Sequence, residues 1–181
     1  MSDTKFVKLE WDDRAFQTSV RRFMELSGDP TELMADISEH LLQSTQDRFD
    51  TEIAPDGTPW QPLRPSTLAL KKGPGILKET GNLSRDGLHA DFGRDFAEIA
   101  ATPPYAAAHQ LGTDPFVILP KAGKALRFLG GAGLPIHRRK VNHPGLPARP
   151  FMGLSDEDQA IITRKAGEAM ERSLATVLRN F

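Results

Sequence analysis

Cysteine is missing altogether from this 181-residue chain. Its absence excludes disulfides, thiolate metal sites and a cysteine nucleophile, and fits a reducing compartment. There is no apolar run long enough to span a bilayer, and no apolar signal region behind Met1-Ser2-Asp3-Thr4-Lys5, so the expectation is a soluble protein, cytosolic when made, with no membrane partner. The familiar enzyme signatures are missing too: no G-x-G-x-x-G opens a helix after a strand, and there is no Walker loop and no His-Glu-x-x-His helix. The histidines His40, His89, His109, His137 and His143 match no standard metal spacing. His109 lies four residues after Tyr105, but no G-x-S-x-G serine accompanies it, so it reads as structural. Gly130 to Gly133 lack the strand-loop-helix context of a phosphate loop. The expectation is no catalytic residues, no cofactor and no metal.

What is present in quantity is loop-forming sequence and unevenly placed charge. Gly 15 and Pro 14 indicate extended connections within a chain long enough for one domain. The formal net charge of -1 hides a segregation. From Thr113 to Pro150 the only acid is Asp114, against Lys121, Lys124, Arg127, Arg138, Arg139, Lys140 and Arg149. From Glu10 to Asp56 acids prevail, among them Asp29, Glu32, Asp36, Glu39, Asp47 and Asp50. The bland reading is two solvated surfaces of opposite sign. The sharper one is a subunit whose basic arm meets the acidic face of a neighbouring copy, which makes the seven cations candidates for a subunit interface or a channel lining. As a nucleic-acid surface the segment lacks stacking aromatics around Arg138 to Lys140, which leaves at most a sequence-independent contact with duplex backbone.

The hydrophobic period sets the element order. Phe6 to Trp11 alternates as a short strand, and Phe16, Val20, Phe23 and Met24 mark a helix from Asp13 to about Ser27. Asp29-Pro30-Thr31-Glu32 opens a second helix whose apolar stripe is Leu33, Ile37 and Leu41, flanked by Met34, Leu42 and Phe49. A loop from Glu52 to Pro65 holds a turn at Gly57 and Trp60 at the core edge. Ser66 to Lys72 is a short helix closed by Gly73. Leu88 to Phe92 and Phe96 to Ala100 make a β-hairpin across Gly93-Arg94-Asp95. Tyr105 to Leu111 is a short helix stopped by Gly112. Phe116 to Leu119 and Ala125 to Leu129 are expected to pair as a second hairpin, followed by a flexible basic excursion.

Gly145 to Leu154 leads rigidly into the last helix, because Pro147 and Pro150 lack amide donors and push Leu146 and Arg149 away from helical geometry. Ser155 then serves as N-cap by accepting from the Asp158 amide, and Asp156, Glu157 and Asp158 complement the helix dipole. That helix runs from about Asp156 to Leu178 with Ile161, Ile162, Ala166, Ala169, Met170, Leu174 and Val177 inward. The class is α+β: amphipathic helices packed on a small, mostly antiparallel sheet, with long loops and a long carboxy-terminal helix, as a single domain over 1–181 with an extended basic loop at about 113–146.

Four stretches in this order carry a family resemblance: Asp56-Gly57-Thr58-Pro59-Trp60; Leu77 with Thr80-Gly81-Asn82-Leu83; Pro104-Tyr105-Ala106-Ala107-Ala108-His109-Gln110-Leu111-Gly112; and Leu146-Pro147-Ala148-Arg149-Pro150-Phe151-Met152-Gly153-Leu154. Together they resemble the phage virion morphogenesis family, with its tail-completion proteins and the G-like proteins of Mu-like prophages. The resemblance implies a structural role for Trp60, Gly81, Tyr105, His109, Gly112, Pro147, Arg149, Pro150 and Phe151. It implies a non-enzymatic virion subunit at the head-tail junction, present in the host cytoplasm during assembly. It also implies a homo-oligomeric ring, hexameric by expectation, that meets other neck, portal-side and tail-tube proteins and makes non-specific contact with duplex DNA in the channel. The competing reading is a DNA-binding accessory or nucleic-acid-processing protein that uses the basic segment on duplex DNA.

Overall fold

The computed structural model describes residues 29–121, 123–129 and 134–179, together with Thr18 and Arg21. Thr18 and Arg21 are helical. The expected strand from Phe6 to Trp11, the apolar stripe Phe16, Val20, Phe23 and Met24, and the glycine run Gly130 to Gly133 lie outside the described residues.

The first long helix, α1, spans Thr31–Thr51. Asp29 Oδ1 accepts from the Thr31 amide at 3.0 Å and from Thr31 Oγ1 at 2.6 Å, which satisfies free donors of the first turn. Pro30 stands just before the helix rather than at its first position. Leu33, Met34, Ile37 and Phe49 are buried, as their spacing requires. The chain leaves through Glu52, whose φ of 56° is left-handed and whose amide donates to Arg48 O at 2.9 Å.

Beyond it, a turn with Gly57 at φ 82° returns Trp60 to the interior. The helix expected over Ser66 to Lys72 is a single turn, α2, at Pro65–Leu68, because Pro65 starts it with a fixed φ and no buried residue holds a longer one. Asn82–Asp86 forms one π-helical turn behind Gly81. Strands β1, Leu88–Phe92, and β2, Ala97–Ala101, pair antiparallel in the expected hairpin, with Leu88 opposite Ala101 and Phe92 opposite Ala97. Helix α3 covers Ala106–Leu111 and ends at Gly112.

The last helix, α4, covers Asp156–Arg179 and packs on α1. Ser155 Oγ accepts from the Asp158 amide at 3.1 Å while Asp158 Oδ2 accepts from the Ser155 amide at 2.9 Å, a reciprocal capping box. Ile162 and Ala169 are buried against Leu33, Met34 and Ile37. Leu174 and Val177, expected to face inward, are exposed: the amphipathic stripe runs on past the elements that cover it. A second core gathers Phe49, Trp60, Leu83, Leu88, Ala106 and Phe151 between α1, the hairpin, α3 and the lead-in to α4.

The basic excursion is not a loop. Strands β3, Phe116–Ile118, and β6, Val141–His143, pair antiparallel, as do β4, Leu126–Leu129, and β5, Pro135–Arg138. The expected pairing of Phe116 to Leu119 with Ala125 to Leu129 is therefore wrong, and His137 to Lys140 is largely strand and bend rather than irregular chain. The bridge between Thr113 and Leu146 continues the β3-β6 register, so β3 to β6 form one interrupted two-stranded ribbon. Between its two paired halves the outgoing strand carries residues 119–125 against only 139 and 140 on the return, a bulge that resets the register. Adjacent-strand reasoning fails here because Pro120, which has no amide to donate, interrupts the ladder before a local hairpin can close.

Candidate assembly interface

Three features organise the molecule around the stretch from Gly145 to Ser155. The first is how its backbone is held. Beyond the Leu146 bridge it is too rich in proline to join a helix or a sheet, and most of its backbone partners are side chains. Arg48 Nη1 donates to Phe151 O at 3.0 Å and Gly153 O at 2.9 Å, and Trp60 Nε1 donates to Pro150 O at 2.8 Å. Gln110 Oε1 accepts from the amides of Phe151 and Met152, each at 3.0 Å, while its Nε2 donates to Met152 O at 2.9 Å. The Arg149 amide donates to His109 O at 2.7 Å. Phe151 then packs beside Phe49, their ring centroids 5.2 Å apart, and Phe49 meets Trp60 edge-on at 5.5 Å.

The residues of the four sequence motifs thus converge on one place. Tyr105 and His109 do lie on one side of α3, edge to face at 5.9 Å, and Asn82 Nδ2 donates to Tyr105 Oη at 3.1 Å. Burial, with the nearby Arg149 charge, holds His109 below the ordinary imidazole pKa. Arg149 itself is only 5 % exposed, and its Nε and Nη2 donate to Gln61 O at 2.9 and 2.8 Å. It is a clamp on the Trp60 loop, set apart from the other cations grouped with it on sequence.

Sequence reasoning missed Arg48, Gln110 and the full part played by Asp158. Arg48 Nη2 reaches Asp158 Oδ2 at 2.5 Å, and His40 Nε2 lies 3.0 Å from Asp158 Oδ1 without making a hydrogen bond there. Burial pushes the Asp158 carboxyl up, but hydrogen bonds from Ser155 and Ser44 and the Arg48 charge outweigh it, leaving the pKa below the usual carboxylate range. The available signal was position: Arg48 falls on the buried side of α1, in phase with Leu41.

The second feature is the ribbon. Lys121, Lys124, Arg127, Arg138, Arg139 and Lys140 are all exposed on it, and none makes an ion pair among the described residues. Between them stand exposed apolar side chains: Phe116, Val117, Leu119, Phe128, Leu129 and Leu134. Apart from their own pairing, the ribbon strands make no extensive contact with another helix or strand. Phe128, Leu129 and His143 look across an open cleft of about 770 Å³ at Leu63, Leu70 and Leu77.

At the ribbon's base Gly145 has φ 85°, and a Cβ there would stand 2.1 Å from Thr113 O. Gly112, at φ 74°, would set a Cβ 2.9 Å from both Leu146 O and Ala148 N. Only glycine lets the two strands close at this point.

The third feature is the outward face of α1. Glu32, Asp36, Glu39, Asp47 and Asp50 fall with Gln43 within an arc of about 80° at 3.6 residues per turn, opposite the buried stripe. The only arginine of α1, Arg48, is turned inward. Lys78 Nζ approaches Asp50 Oδ1 at 2.9 Å and lowers its pKa; Glu32, Asp36 and Glu39 have no ion pair among the described residues. Among those residues no group of three His, Asp or Glu side chains is placed to hold a metal, and no helix is long and apolar enough to cross a membrane.

Comparison with known proteins places this arrangement. No solved structure matches the chain. It is 30 % identical over 145 residues to protein G of Escherichia phage Mu, whose name attaches it provisionally to capsid assembly; the alignment covers 77 % of this chain and 76 % of the relative. It is 30 % identical over 131 residues to tail completion protein S of Escherichia phage P2, covering 72 % and 77 % of the two chains. A Mu-like prophage G protein of Haemophilus influenzae is 25 % identical over 171 residues, 90 % of this chain and 96 % of the relative. The model of the phage virion morphogenesis family matches residues 11–173, nearly the whole length, and the chain belongs to that family.

Proposed function

We infer that the protein is a non-enzymatic structural subunit of a tailed-phage or prophage virion that completes the tail and joins it to the head as one member of a ring. The ribbon is the observation that carries this reading. A two-stranded ribbon with open edges, exposed apolar side chains and unpaired cations is marginal by itself and marks a surface built for a partner. Donor and receiving surfaces on one chain differ, so copies meet head to tail, and such contacts close into a ring when the rotation allows. The relatives' names point the same way: one is placed in tail completion, the other in capsid assembly, and a subunit where head meets tail serves both. The ring has six copies in this reading, meets neck, portal-side and tail-tube proteins, and contacts channel DNA without reading its sequence.

Light scattering followed by negative-stain imaging of the purified protein tests this. A ring with a central hole wide enough for duplex DNA is the expected result, together with detection of the protein in intact virions. Absence from virions, with a monomer in solution, would overturn the reading. The exposed Arg138, Arg139 and Lys140 favour the DNA-binding alternative to this extent: a gel shift at low salt that weakens steeply with added salt would support it.

A further inference from the structure

We propose that the carboxylate stripe of α1 is the surface that receives the basic ribbon of the next copy. The inference rests on the ring reading above and names its contact. Two sets of charge of opposite sign, without ion pairs among the described residues, occur on separate surfaces of one chain: Glu32, Asp36, Glu39 and Asp47 on α1, and Lys121, Lys124, Arg127, Arg138, Arg139 and Lys140 on the ribbon. They do not satisfy each other within the subunit, since the ribbon strands have no extensive contact with α1.

Their dimensions agree. From Glu32 to Asp47 the helix rises about 23 Å at 1.5 Å per residue, a length that accommodates Pro135 to Lys140, about 17 Å at 3.3 Å per residue. The ribbon also carries exposed apolar side chains, and the subunit offers it apolar partners on the hairpin that packs on α1. The β1-β2 hairpin packs on α1, Ala97 reaches the Leu33 cluster, and the exposed rings of Phe92 and Phe96 flank the turn between the strands.

The apolar content also decides between partners. Phosphate neutralisation has no use for Phe128, Leu129 and Leu134 interleaved with cations, whereas a protein interface places apolar anchors among charges that set register and rate.

The test is a charge swap. Arg138→Glu/Arg139→Glu/Lys140→Glu reverses the ribbon, and Glu32→Lys/Glu39→Lys/Asp47→Lys reverses the stripe. Self-association of each, and of wild type, is followed by analytical ultracentrifugation at low salt, with circular dichroism to confirm folding. Each variant alone should associate at least about tenfold more weakly than wild type. Mixing the two variants, or joining both reversals in one chain, should restore association.

If the lysines disturb folding, Glu32→Gln/Glu39→Gln/Asp47→Asn should still give a weaker association that no longer responds to salt. A wild type that forms rings while stripe reversal has no effect overturns this contact and leaves the ring standing. A wild type that stays monomeric at millimolar concentration and low salt overturns both. Loss of duplex-DNA binding on ribbon reversal, with no rescue by the reversed stripe, also overturns it and assigns the ribbon to DNA.

Discussion

Arg48 and Asp158 bind the two long helices to each other at the point where the last one begins, Nη2 to Oδ2 at 2.5 Å, with both side chains buried. The same arginine holds Phe151 O and Gly153 O, and the same carboxylate completes the cap with Ser155. Removing one partner strands the other charge in the interior. Arg48→Met should therefore destabilise the fold by about 3–5 kcal/mol, and adding Asp158→Asn should recover part of the loss. Urea denaturation of the two variants checks this; equal stability of Arg48→Met and wild type would refute it.

The pH dependence follows from depressed carboxyls. Asp158 has a lowered pKa in the fold, and Glu79, which accepts from the amides of Lys72 and Gly73 and from Lys71 Nζ, is lowered to about 2. A group depressed in the folded state contributes stability that is fully present above its unfolded pKa, about 4, and lost as pH falls through the folded value. Stability should thus be level above pH of about 5 and decline on acidification, with the Glu79 contribution disappearing only near pH 2. Asp158→Asn should make that decline shallower. Carboxyl chemical shifts followed against pH give the Glu79 midpoint directly, and a value in the ordinary carboxylate range would contradict the bonding described.

Gln110 satisfies three backbone groups of the lead-in with one side chain. Gln110→Leu leaves those groups buried without partners, at about 1–3 kcal/mol for each, so a loss of at least about 3 kcal/mol is expected. Gln110→Glu keeps the shape and the acceptor but cannot, when ionised, donate to Met152 O. It should be destabilised near neutral pH and regain stability as the carboxyl protonates, which thermal melts at several pH values will show.

Gly145→Ala should separate ribbon from core. The added Cβ meets Thr113 O at 2.1 Å on a backbone with φ 85°, so the bridge from the Leu146 amide to Thr113 at the base must open. The two cores lie elsewhere, but Gly145 is itself buried and held at positive φ, so a loss of about 1–3 kcal/mol is expected from the local strain. Hydrogen exchange at the Thr113 and Leu146 amides should accelerate, and self-association should fall. Unaltered exchange at those amides would show that the base tolerates the methyl group.

Elements whose stability is local could be read from the chain alone. The stripe of α1, the Ser155 cap of α4, the Gly93-Arg94-Asp95 turn and the Gly112 stop each depend on residues a few positions apart, and all four appear where the pattern puts them. Phe116 and His143 stack at 4.6 Å across a long separation in sequence, and no local signal announces that partnership. The same holds for buried polar side chains. An arginine on a helix reads as a solvated charge until the carbonyls of a distant proline-rich stretch are known to need a donor, so Arg48 and Gln110 escaped notice. The cap of Asp158 with Ser155 was legible, but its second role was not: of three acids at the helix start it alone is buried, where His40 and Arg48 approach it from another helix.

The base of the ribbon is joined to the Pro147-Pro150 segment with only Leu146 between them, and that segment is gripped by α1, α3 and the Trp60 loop. In mechanical terms the segment is a strut. A load applied to the ribbon passes along a backbone that proline keeps from coiling up, and spreads at once into both long helices rather than peeling one strand from its neighbour. A subunit built this way resists being drawn out by its arm.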